Sequence, residues 1–370
     1  MIFKVEKILK VLKSNNIDFF TGVPDSVLKN FSNLISNFSK HKHIITANEG
    51  GAVSLATGYY LATKKIPLVY FQNSGLGNII NPITSMIHKK IYGIPMVLFI
   101  GWRGAPKIED EIQHKVQGQI TLKQLKLLNI KYKIFDKRNY TKQIKELVKY
   151  AKRNKQPSAY IFKINDLNSF SVKKIKKTDT SKLNLIDRSN FIKRLIKLSN
   201  NSKIVATTGF TSRELFQLRE TSTTKNKDFY MVGAMGHASM VSLGVSLKSK
   251  KKVICLDGDG SFLMHMGSSV ISSNYGVKNY KYVILNNECH ESVGEQPTSI
   301  NKINLKMFSM SIGYKNYFLI KNKGQINKIL KKFISCDGPS FLEVKIKTGS
   351  LSKLKRIKNL LPIRENFMKE

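Results

Sequence analysis

The sequence predicts an α/β protein of two domains, each built on a parallel sheet flanked by helices. The chain has 370 residues, whereas a single hydrophobic core rarely extends past roughly 250 to 300 residues. Short apolar runs alternate with stretches of helical periodicity in both halves, which is typical of parallel sheets covered by helices. A polar, lysine-rich stretch over 165–184 divides the two alternating regions and is the expected position of a linker.

In the first half, short apolar runs that end in glycine-rich turns predict strands, and apolar residues at helical spacing predict the helices between them. The opening residues interrupt their apolar positions with Lys4, Lys7, Lys10 and Lys13, so they predict an amphipathic helix without a signal core. We expect strands near 19–20, 44–46, 68–72, 96–100 and 159–163, and helices over 26–37, 50–63 and 81–91.

The same alternation resumes after the polar stretch and continues almost to the end of the chain. We expect helices over 188–198, 212–219, 238–246 and 262–275, and strands over 204–207, 229–232, 253–256, 282–285 and 340–344. The two halves therefore have similar lengths and a similar order of elements, and the predicted domains are residues 1–170 and 185–370 with a linker over 171–184.

Composition narrows the class of protein. Apolar residues make up 41% of the chain, which excludes a disordered chain. The 63 basic and 24 acidic residues leave a net charge of +39, but the lysines are dispersed and form no stripe that would bind nucleic acid. Three cysteines without metal-ligand spacing fit a reducing compartment, and the longest strongly apolar stretch, 94–100, is too short to cross a membrane. We therefore expect a cytoplasmic protein with no nucleic-acid or membrane partner.

The sharpest motif is Gly258-Asp259-Gly260, which is followed after 25 residues by Asn286-Asn287. An apolar strand precedes each cluster and a helix is expected between them. A right-handed crossover then makes the two strands parallel and puts both clusters at the carboxyl edge of one sheet, where α/β sheets bind ligands.

The residue types of these two clusters suit a hard cation. A carboxylate from Asp259, an amide oxygen from Asn287 and the backbone carbonyl of Cys289 are oxygen ligands of the kind that Mg²⁺ prefers. Glycines allow close approach of a phosphate, and a helix expected to begin near Ser261 would direct its N–H groups at the anion. The pattern predicts a diphosphate bound through a metal ion, although two plain turns with Asp259 as a local cap would also explain it.

Arg103 is the strongest candidate for binding an anionic substrate, because only 9 of the 63 basic residues are arginine and this one lies between glycines after a buried strand. The planar guanidinium matches phosphonate or sulfonate oxygens better than lysine does. A structural ion pair between the two domains is the alternative. Asp25 and His114 are candidates for proton transfer or substrate orientation, and Asp25 could equally cap the following helix. The loop over 73–78, with Asn73 and Ser74, could hold the anionic end of a substrate or form a plain turn.

The paired clusters resemble those of the thiamin diphosphate-dependent enzyme family. The resemblance implies that Asp259, Asn287 and the Cys289 carbonyl bind Mg²⁺ and that the cofactor diphosphate lies against Gly258, Gly260 and Ser261. It further implies that Gly233 contacts the cofactor and that Met235, in the loop that begins at Gly233, packs between the two cofactor rings. A methionine buried in the core is the alternative for Met235.

The family also has a glutamate in its other, pyrimidine-binding domain, which contacts N1′ of the cofactor. Glu49, in Asn48-Glu49-Gly50-Gly51, matches that position, and the resemblance implies that it activates the cofactor by exchanging a proton with N1′. An acid that interacts with the start of a helix is the alternative. By the same resemblance, residues 1–170 form the pyrimidine-binding domain and 185–370 the diphosphate-binding domain, with no room for the middle domain of larger relatives.

Longer stretches resemble the phosphonopyruvate decarboxylases, with the sulfopyruvate decarboxylases as chemical neighbours. The resemblance implies decarboxylation of 3-phosphonopyruvate in phosphonate metabolism, His290 as a substrate-binding residue, and a homo-oligomer (dimer or tetramer) with active sites between subunits. Phe210, where a lysine is expected, together with Glu288 and Glu291 beside His290, departs from the pattern. Sulfopyruvate decarboxylation or carboligation by the same cofactor therefore remain alternatives. The matching stretches are 21–26, 72–78, 101–104, 110–114, 207–214 and 290–294.

Overall fold

A computed structural model describes residues 3–167, 185–222 and 228–369. Within these ranges the chain forms two compact units: residues 3–167 with Val293–Gln296, and the remaining described residues from 185 onward. The linker predicted over 171–184 lies outside the described residues. Within the described ranges, no helix combines the length and the apolar character that are needed to cross a membrane.

The first unit alternates strands and helices from its start. Its strands are β1 (Phe20–Gly22), β2 (His43–Ile45), β3 (Leu68–Gln72), β4 (Val97–Gly101), β5 (Lys131–Ile134) and β6 (Ser158–Phe162). Its helices are α1 (Glu6–Ser14), α2 (Lys29–Ile35), α3 (Glu49–Thr63), α4 (Leu76–Pro82), which continues as a π-helical turn over Ile83–Ile87, α5 (Lys115–Leu127) and α6 (Tyr140–Asn154).

All six strands of this unit are parallel, in the order β2-β1-β3-β4-β6-β5. Successive side chains of a strand point to opposite faces, and β4 shows the result. Val97 and Phe99 belong to one apolar core, whereas Leu98 and Ile100 belong to the other. Both faces of the sheet are therefore covered, as the nearly continuous apolar runs of the sequence predict.

The second unit repeats this arrangement. Its strands are β7 (Ser202–Ala206), β8 (Phe229–Tyr230), β9 (Lys252–Gly258), β10 (Tyr280–Asn286), the short pair β11 (Cys289–His290) and β12 (Gln296–Pro297), β13 (Asn316–Ile320) and β14 (Ser340–Lys345). Within β12, Gln296 groups with the first unit. Its helices are α7 (Arg188–Leu198), α8 (Phe210–Glu220), α9 (Ala238–Ser246), α10 (Asp259–Met264), α11 (Gly267–Asn274), α12 (Leu305–Ser311), α13 (Ile326–Ser335) and α14 (Leu360–Met368).

The large sheet of the second unit is also parallel, in the order β13-β14-β10-β9-β7-β8. If β7, β8, β9, β10, β13 and β14 are counted as first to sixth, this order reads 2-1-3-4-6-5 from the opposite edge, the same as in the first unit. The two α/β units predicted from the sequence are confirmed, and they share one topology.

Several predicted boundaries differ from the structure for local reasons. The helix predicted over 81–91 begins earlier, at Leu76, because a 3₁₀ turn after β3 leads directly into it. The helix predicted over 262–275 is divided at His265, whose backbone leaves the helical conformation. Strands β5 and β13 were not predicted, since both lie at sheet edges and their partly exposed residues form no fully buried run.

Candidate active site

In the first unit, five of the predicted site residues follow carboxyl ends of neighbouring parallel strands. Asp25 comes after β1, Glu49 after β2, Asn73 and Ser74 after β3, and Arg103 after β4. Strand order reverses between β1 and β3, and such a reversal opens the crevice in which α/β sheets bind ligands. The sheet therefore gathers these residues at one edge.

Glu49 is the first residue of α3 and is only 5% exposed. Asn48 caps this helix by accepting a hydrogen bond from the Gly51 N–H, which sets the direction in which Glu49 leaves the backbone. The Asn78 amide donates to Glu49 Oε2 over 2.6 Å. A Cβ added to Gly75 would lie 2.5 Å from Glu49 Cδ, so the carboxylate rests against bare backbone. Glu49 is thus held in one orientation with its other carboxylate oxygen not used by Asn78.

Asp25 is buried, and burial raises the pKa of its carboxyl to about 6. Its Oδ2 accepts hydrogen bonds from the N–H groups of Val27 and Leu28, both at 3.0 Å, so it organises the turn before α2 as predicted for a local cap. Its Oδ1 is buried without a hydrogen-bond partner. Gly101 makes room for this side chain, since a Cβ there would lie 1.9 Å from Asp25 Oδ2. A buried acid with one unsatisfied oxygen suits a group that exchanges protons.

Asp25→Asn should stabilise the unliganded protein at neutral pH. The pKa of Asp25 in the folded state lies above its value in the unfolded chain. The contribution of Asp25 to the free energy of unfolding is therefore fully present below about pH 4 and is lost as the pH rises through about 6. The stability of the variant relative to the unaltered chain should therefore increase by about 3 kcal/mol between those limits. Urea unfolding at a series of pH values measures this difference, and a difference that stays constant with pH would show that the pKa is not raised.

The guanidinium of Arg103 is paired within its own unit. Its Nε donates to Asp110 Oδ2 over 2.8 Å, its Nη2 donates to Asp110 Oδ1, and its Nη1 donates to Ser26 Oγ over 3.0 Å. Burial by itself would raise the pKa of the Asp110 carboxyl, but the hydrogen bonds from Arg103 outweigh this effect and lower the pKa to about 2. Arg103 therefore forms a structural ion pair within the first unit, whereas the alternative considered was a pair between domains. A substrate could use only its remaining N–H groups.

The Asn73 side chain forms its hydrogen bonds within the first unit. It is fully buried, donates to the Arg103 carbonyl and to Thr121 Oγ1, and accepts from the Arg103 N–H. Both N–H groups and the oxygen of this side chain are thus used to join the segments after β3 and β4, and substrate binding by Asn73 stays a prediction. Ser74 is exposed and accepts a hydrogen bond from Gln72, and His114 Nε2 lies 4.0 Å from Glu111 Oε2.

In the second unit, Asp259 and Asn287 follow the adjacent parallel strands β9 and β10. Asp259 is the first residue of α10, so the helix begins two residues earlier than predicted. Burial raises the pKa of the Asp259 carboxyl to about 6, and Thr298 Oγ1 donates to its Oδ2 over 2.6 Å. A buried carboxylate with a neutral hydroxyl partner is the kind of group that a bound cation would stabilise.

The Asn287 amide is held at both ends. Its Nδ2 donates to Glu291 Oε2 over 3.0 Å, and its Oδ1 accepts from the Cys289 N–H over 3.2 Å. Cys289 itself lies in the short strand β11. A carbonyl oxygen has two lone pairs, so Asn287 Oδ1 can still coordinate an ion.

Met235, Gly260 and His290 come together beside this pair. A Cβ on Gly260 would lie 2.8 Å from His290 Nδ1 and 3.5 Å from Met235 Cε, so only glycine fits between them. Burial lowers the pKa of His290 to about 4, which keeps the imidazole neutral at physiological pH. Met235 is partly exposed and is absent from the apolar core clusters of the described residues, which argues against core packing as its role.

The predicted phosphate-binding positions divide into open and occupied ones. A Cβ on Gly258 would meet no heavy atom within 4 Å, so there is free space beside it, and Gly233 is partly exposed in the loop that leads to Met235. The Ser261 hydroxyl is occupied, because it pairs with Thr207 Oγ1 at 2.8 Å and accepts from the Gly236 N–H over 3.0 Å. Ser261 therefore ties the Met235 loop to α10, and only its backbone remains for a phosphate.

The residues present fit Mg²⁺ and a diphosphate. The donor set is one buried carboxylate, one amide oxygen and one carbonyl, which are oxygen ligands suited to Mg²⁺, and the space beside Gly258 leaves room for an anion. Among the described residues, no cluster of three or more His, Cys, Asp or Glu could hold a metal ion.

Two functional contacts were not predicted from the sequence. Asn78 is the partner of Glu49, and Thr298 is the partner of Asp259. Asn78 lies in α4, within the stretch 73–78 that the sequence had singled out as a loop, but Thr298 is 39 residues from Asp259 in a segment with no motif. Only folding brings it to the carboxylate.

Comparison with known proteins identifies the family. Residues 5–127 match the protein-family model for the N-terminal TPP binding domain of thiamine pyrophosphate enzymes. Residues 206–344 match the family model for the C-terminal TPP binding domain of these enzymes.

Relatives of the whole chain narrow the group. The chain is 30% identical over 351 residues to a phosphonopyruvate decarboxylase of Streptomyces viridochromogenes (91% of this chain and 87% of the relative). It is 27% identical over 365 residues to a sulfopyruvate decarboxylase of Methanosarcina acetivorans (93% and 92%). It is also 32% identical over 166 residues to sulfopyruvate decarboxylase subunit beta of Methanothermobacter thermautotrophicus (45% and 85%).

The chain belongs to the thiamin diphosphate-dependent enzymes and, within them, to the group of phosphonopyruvate and sulfopyruvate decarboxylases. It is therefore an enzyme of the carboxy-lyase class, with thiamin diphosphate as cofactor.

Proposed function

We propose that the protein converts 3-phosphonopyruvate to phosphonoacetaldehyde and CO₂, with Mg²⁺ as the metal that binds the cofactor diphosphate. The observation that carries this choice of substrate is the similarity to a phosphonopyruvate decarboxylase over 91% of the chain. Bound thiamin diphosphate supplies a cationic ring that accepts the electron pair left by the departing carboxylate. The protein's own residues bind and orient the cofactor and substrate and handle protons.

The second unit, within the proposed diphosphate-binding domain at 185–370, would hold the cofactor. Asp259, Asn287 and the Cys289 carbonyl bind Mg²⁺, while the backbone at Gly258, Gly260, Gly233 and Ser261 borders the diphosphate. First-turn N–H groups of a helix have no intrahelical partner, so the start of α10 has donors for phosphate oxygens. Met235 supports the shape of the cofactor from its loop.

The first unit, within the proposed pyrimidine-binding domain at 1–170, would supply activation. Glu49, fixed by Asn78, holds a proton at N1′ of the cofactor, and its burial excludes water from that proton. Asp25, His114 and His290 are assigned to substrate orientation and to the proton that replaces CO₂ on the product carbon. Neutral His290 suits this role, since a neutral imidazole can accept or relay a proton.

The substrate anion would be recognised by Ser74 and by the free N–H groups of Arg103. The charge of Arg103 is partly balanced by Asp110, so it contributes less than an unpaired guanidinium. Asn73 acts indirectly by fixing the backbone that carries Arg103.

Sulfopyruvate is the second candidate substrate. It is favoured by the relative that matches 93% of the chain and by Phe210, which stands where the phosphonopyruvate pattern led us to expect lysine. In the structure Phe210 begins α8, and its ring centroid lies 5.6 Å from the Arg188 guanidinium carbon. The aromatic ring therefore packs against a cation and does not supply one.

The proposed working unit is a homo-oligomer in which the Glu49-bearing domain of one subunit completes the site on the Mg²⁺-bearing domain of another. One relative carries the printed name of a subunit, which supports assembly from more than one chain. Sedimentation of the purified protein would distinguish dimer from tetramer.

The substrate assignment is tested by CO₂ release from phosphonopyruvate, sulfopyruvate and pyruvate, with and without thiamin diphosphate and with Mg²⁺ removed by chelator. We expect kcat/KM for phosphonopyruvate to exceed that for sulfopyruvate by at least about tenfold, equivalent to about 1.4 kcal/mol of transition-state binding, and to require both cofactors. A reversed order would establish sulfopyruvate as the substrate, and an unchanged rate in chelator would remove Mg²⁺ from the proposal.

A further inference from the structure

The side-chain amide of Asn287 has two ends with different chemistry. Its oxygen can coordinate a cation, whereas its NH₂ group can only donate hydrogen bonds. A rotation of 180° about the last side-chain bond would exchange the two ends and present NH₂ to the ion. Any residue that fixes this rotation therefore controls metal affinity without touching the metal.

Glu291 is the residue that fixes the NH₂ end, because its Oε2 accepts a hydrogen bond from Asn287 Nδ2. A carboxylate without its proton accepts hydrogen bonds only, so it would repel the Asn287 oxygen in the rotated orientation. The Cys289 N–H holds the opposite end. Both neighbours favour the same orientation of the amide.

Glu291 is itself held rigidly. Arg188 Nη2 donates to Glu291 Oε2, and the Gly349 N–H donates to Glu291 Oε1. The side chains of Arg188 and Glu291 are 5% and 7% exposed, so solvent cannot compete well for either. The start of α7 and the loop after β14 thus meet on one carboxylate, which in turn holds Asn287.

We propose that Glu291, which is paired with Arg188, is a positioning residue that keeps the Asn287 oxygen turned towards the cation. This inference rests on the proposed Mg²⁺ site and extends it beyond the residues that touch the ion. The sequence marked Glu291 only as a departure from the family pattern, and the contact supplies a reason for it.

The test compares Mg²⁺ affinity with stability. Glu291→Leu removes the acceptor at similar volume, and we expect the Mg²⁺ dissociation constant, measured by calorimetry with thiamin diphosphate, to rise by about 10- to 100-fold, as for other residues that orient metal ligands. Glu291→Gln keeps an oxygen that can accept from Asn287, so it should restore much of the affinity. At saturating Mg²⁺ the kcat of both variants should approach that of the unaltered chain. A purely structural role would instead lower kcat at every Mg²⁺ concentration and lower the melting temperature of the cofactor-free protein.

Glu343 provides a matched control. Its Oε1 accepts from the neighbouring Asn286 Nδ2 over 2.9 Å, so the contact is of the same kind, but Asn286 is not a proposed ligand. Glu343→Leu should leave the Mg²⁺ dissociation constant within about twofold of the unaltered value. An equal loss in both variants would overturn the inference, since it would reflect general damage to the sheet edge.

Asn287→Asp separates positioning from other roles. A carboxylate has two equivalent oxygens and no wrong end, so in this background Glu291→Leu should no longer weaken Mg²⁺ binding. If Glu291→Leu does not fold, Glu291→Ala, which also removes the acceptor, takes its place in the cycle. A double-mutant cycle measures the coupling, and zero coupling would overturn the proposal. If Asp259→Asn leaves Mg²⁺ affinity unchanged, the proposed metal site itself fails. If Asp259→Asn abolishes binding while Glu291→Leu does not weaken it, only the positioning role fails.

Discussion

Asp259→Asn is expected to abolish Mg²⁺-dependent binding of thiamin diphosphate and to lower turnover by at least about 100-fold, more than loss of a residue that only orients a metal ligand. Asp259 supplies the single carboxylate of the proposed donor set. Asparagine keeps the shape and can still accept the hydrogen bond from Thr298, so the change is chiefly one of charge. Calorimetry measures the binding directly. A ligand present at about 100 times its dissociation constant stabilises the folded protein by about 2.7 kcal/mol. The rise in melting temperature that Mg²⁺ and cofactor cause in the unaltered chain should therefore disappear in the variant.

The control for this substitution is Asp337→Asn. Both changes remove one negative charge from a chain of net charge +39, which controls for long-range attraction of an anionic cofactor. Asp337 is an exposed side chain that pairs with Lys278, so its loss should leave cofactor affinity unchanged. Normal binding by the Asp259 variant would refute the metal assignment.

Glu49→Gln is expected to retain cofactor affinity within a few-fold while turnover falls by about 100- to 10,000-fold, the usual range for loss of a general acid or base. Glutamine keeps an oxygen for the hydrogen bond from Asn78 but cannot exchange a proton with N1′. Deuterium exchange at C2 of the bound cofactor, followed by NMR after acid quenching, reports activation separately from substrate turnover. Exchange at the unaltered rate would remove Glu49 from this role.

A pair of glycine substitutions tests the same point without changing the carboxylate. Gly75→Ala would place a Cβ 2.5 Å from Glu49 Cδ, whereas Gly77→Ala would meet nothing within 4 Å. We expect the first to slow C2 exchange as Glu49→Gln does, because the carboxylate must move, and the second to be nearly neutral. Equal effects would show that the position of Glu49 against Gly75 is unimportant.

The paired turns show why much of the site could be predicted. Asp259 and Asn287 each follow an apolar strand, and parallel strands joined by a helix must end at the same edge, so their proximity follows from local pattern and handedness alone. Glu49 was singled out by the resemblance to the family, and its position at the start of a helix after a strand agrees with that assignment.

Arg103 shows where that reasoning stops. Its rarity in a lysine-rich chain marked it correctly as unusual, but the pattern does not specify its partner. In the structure, Arg103 pairs with Asp110, seven residues later. The Asn73 side chain forms hydrogen bonds with the Arg103 backbone. Ser261 is a similar case, because its hydroxyl joins Thr207 and Gly236 and is not left for a phosphate.

The amino-acid sequence alone determined the fold class, since this depends on periodicity and strand ends over short distances. The resemblance of its motifs to the thiamin diphosphate-dependent enzymes indicated the cofactor class and singled out Glu49. Tertiary structure alone decided the partners: Asn78 for Glu49, Thr298 for Asp259, and Glu291 for Asn287. A hydrogen bond depends on two atoms meeting within about 3 Å. For residues distant in the chain, that meeting is decided by how the whole sheet and its loops pack.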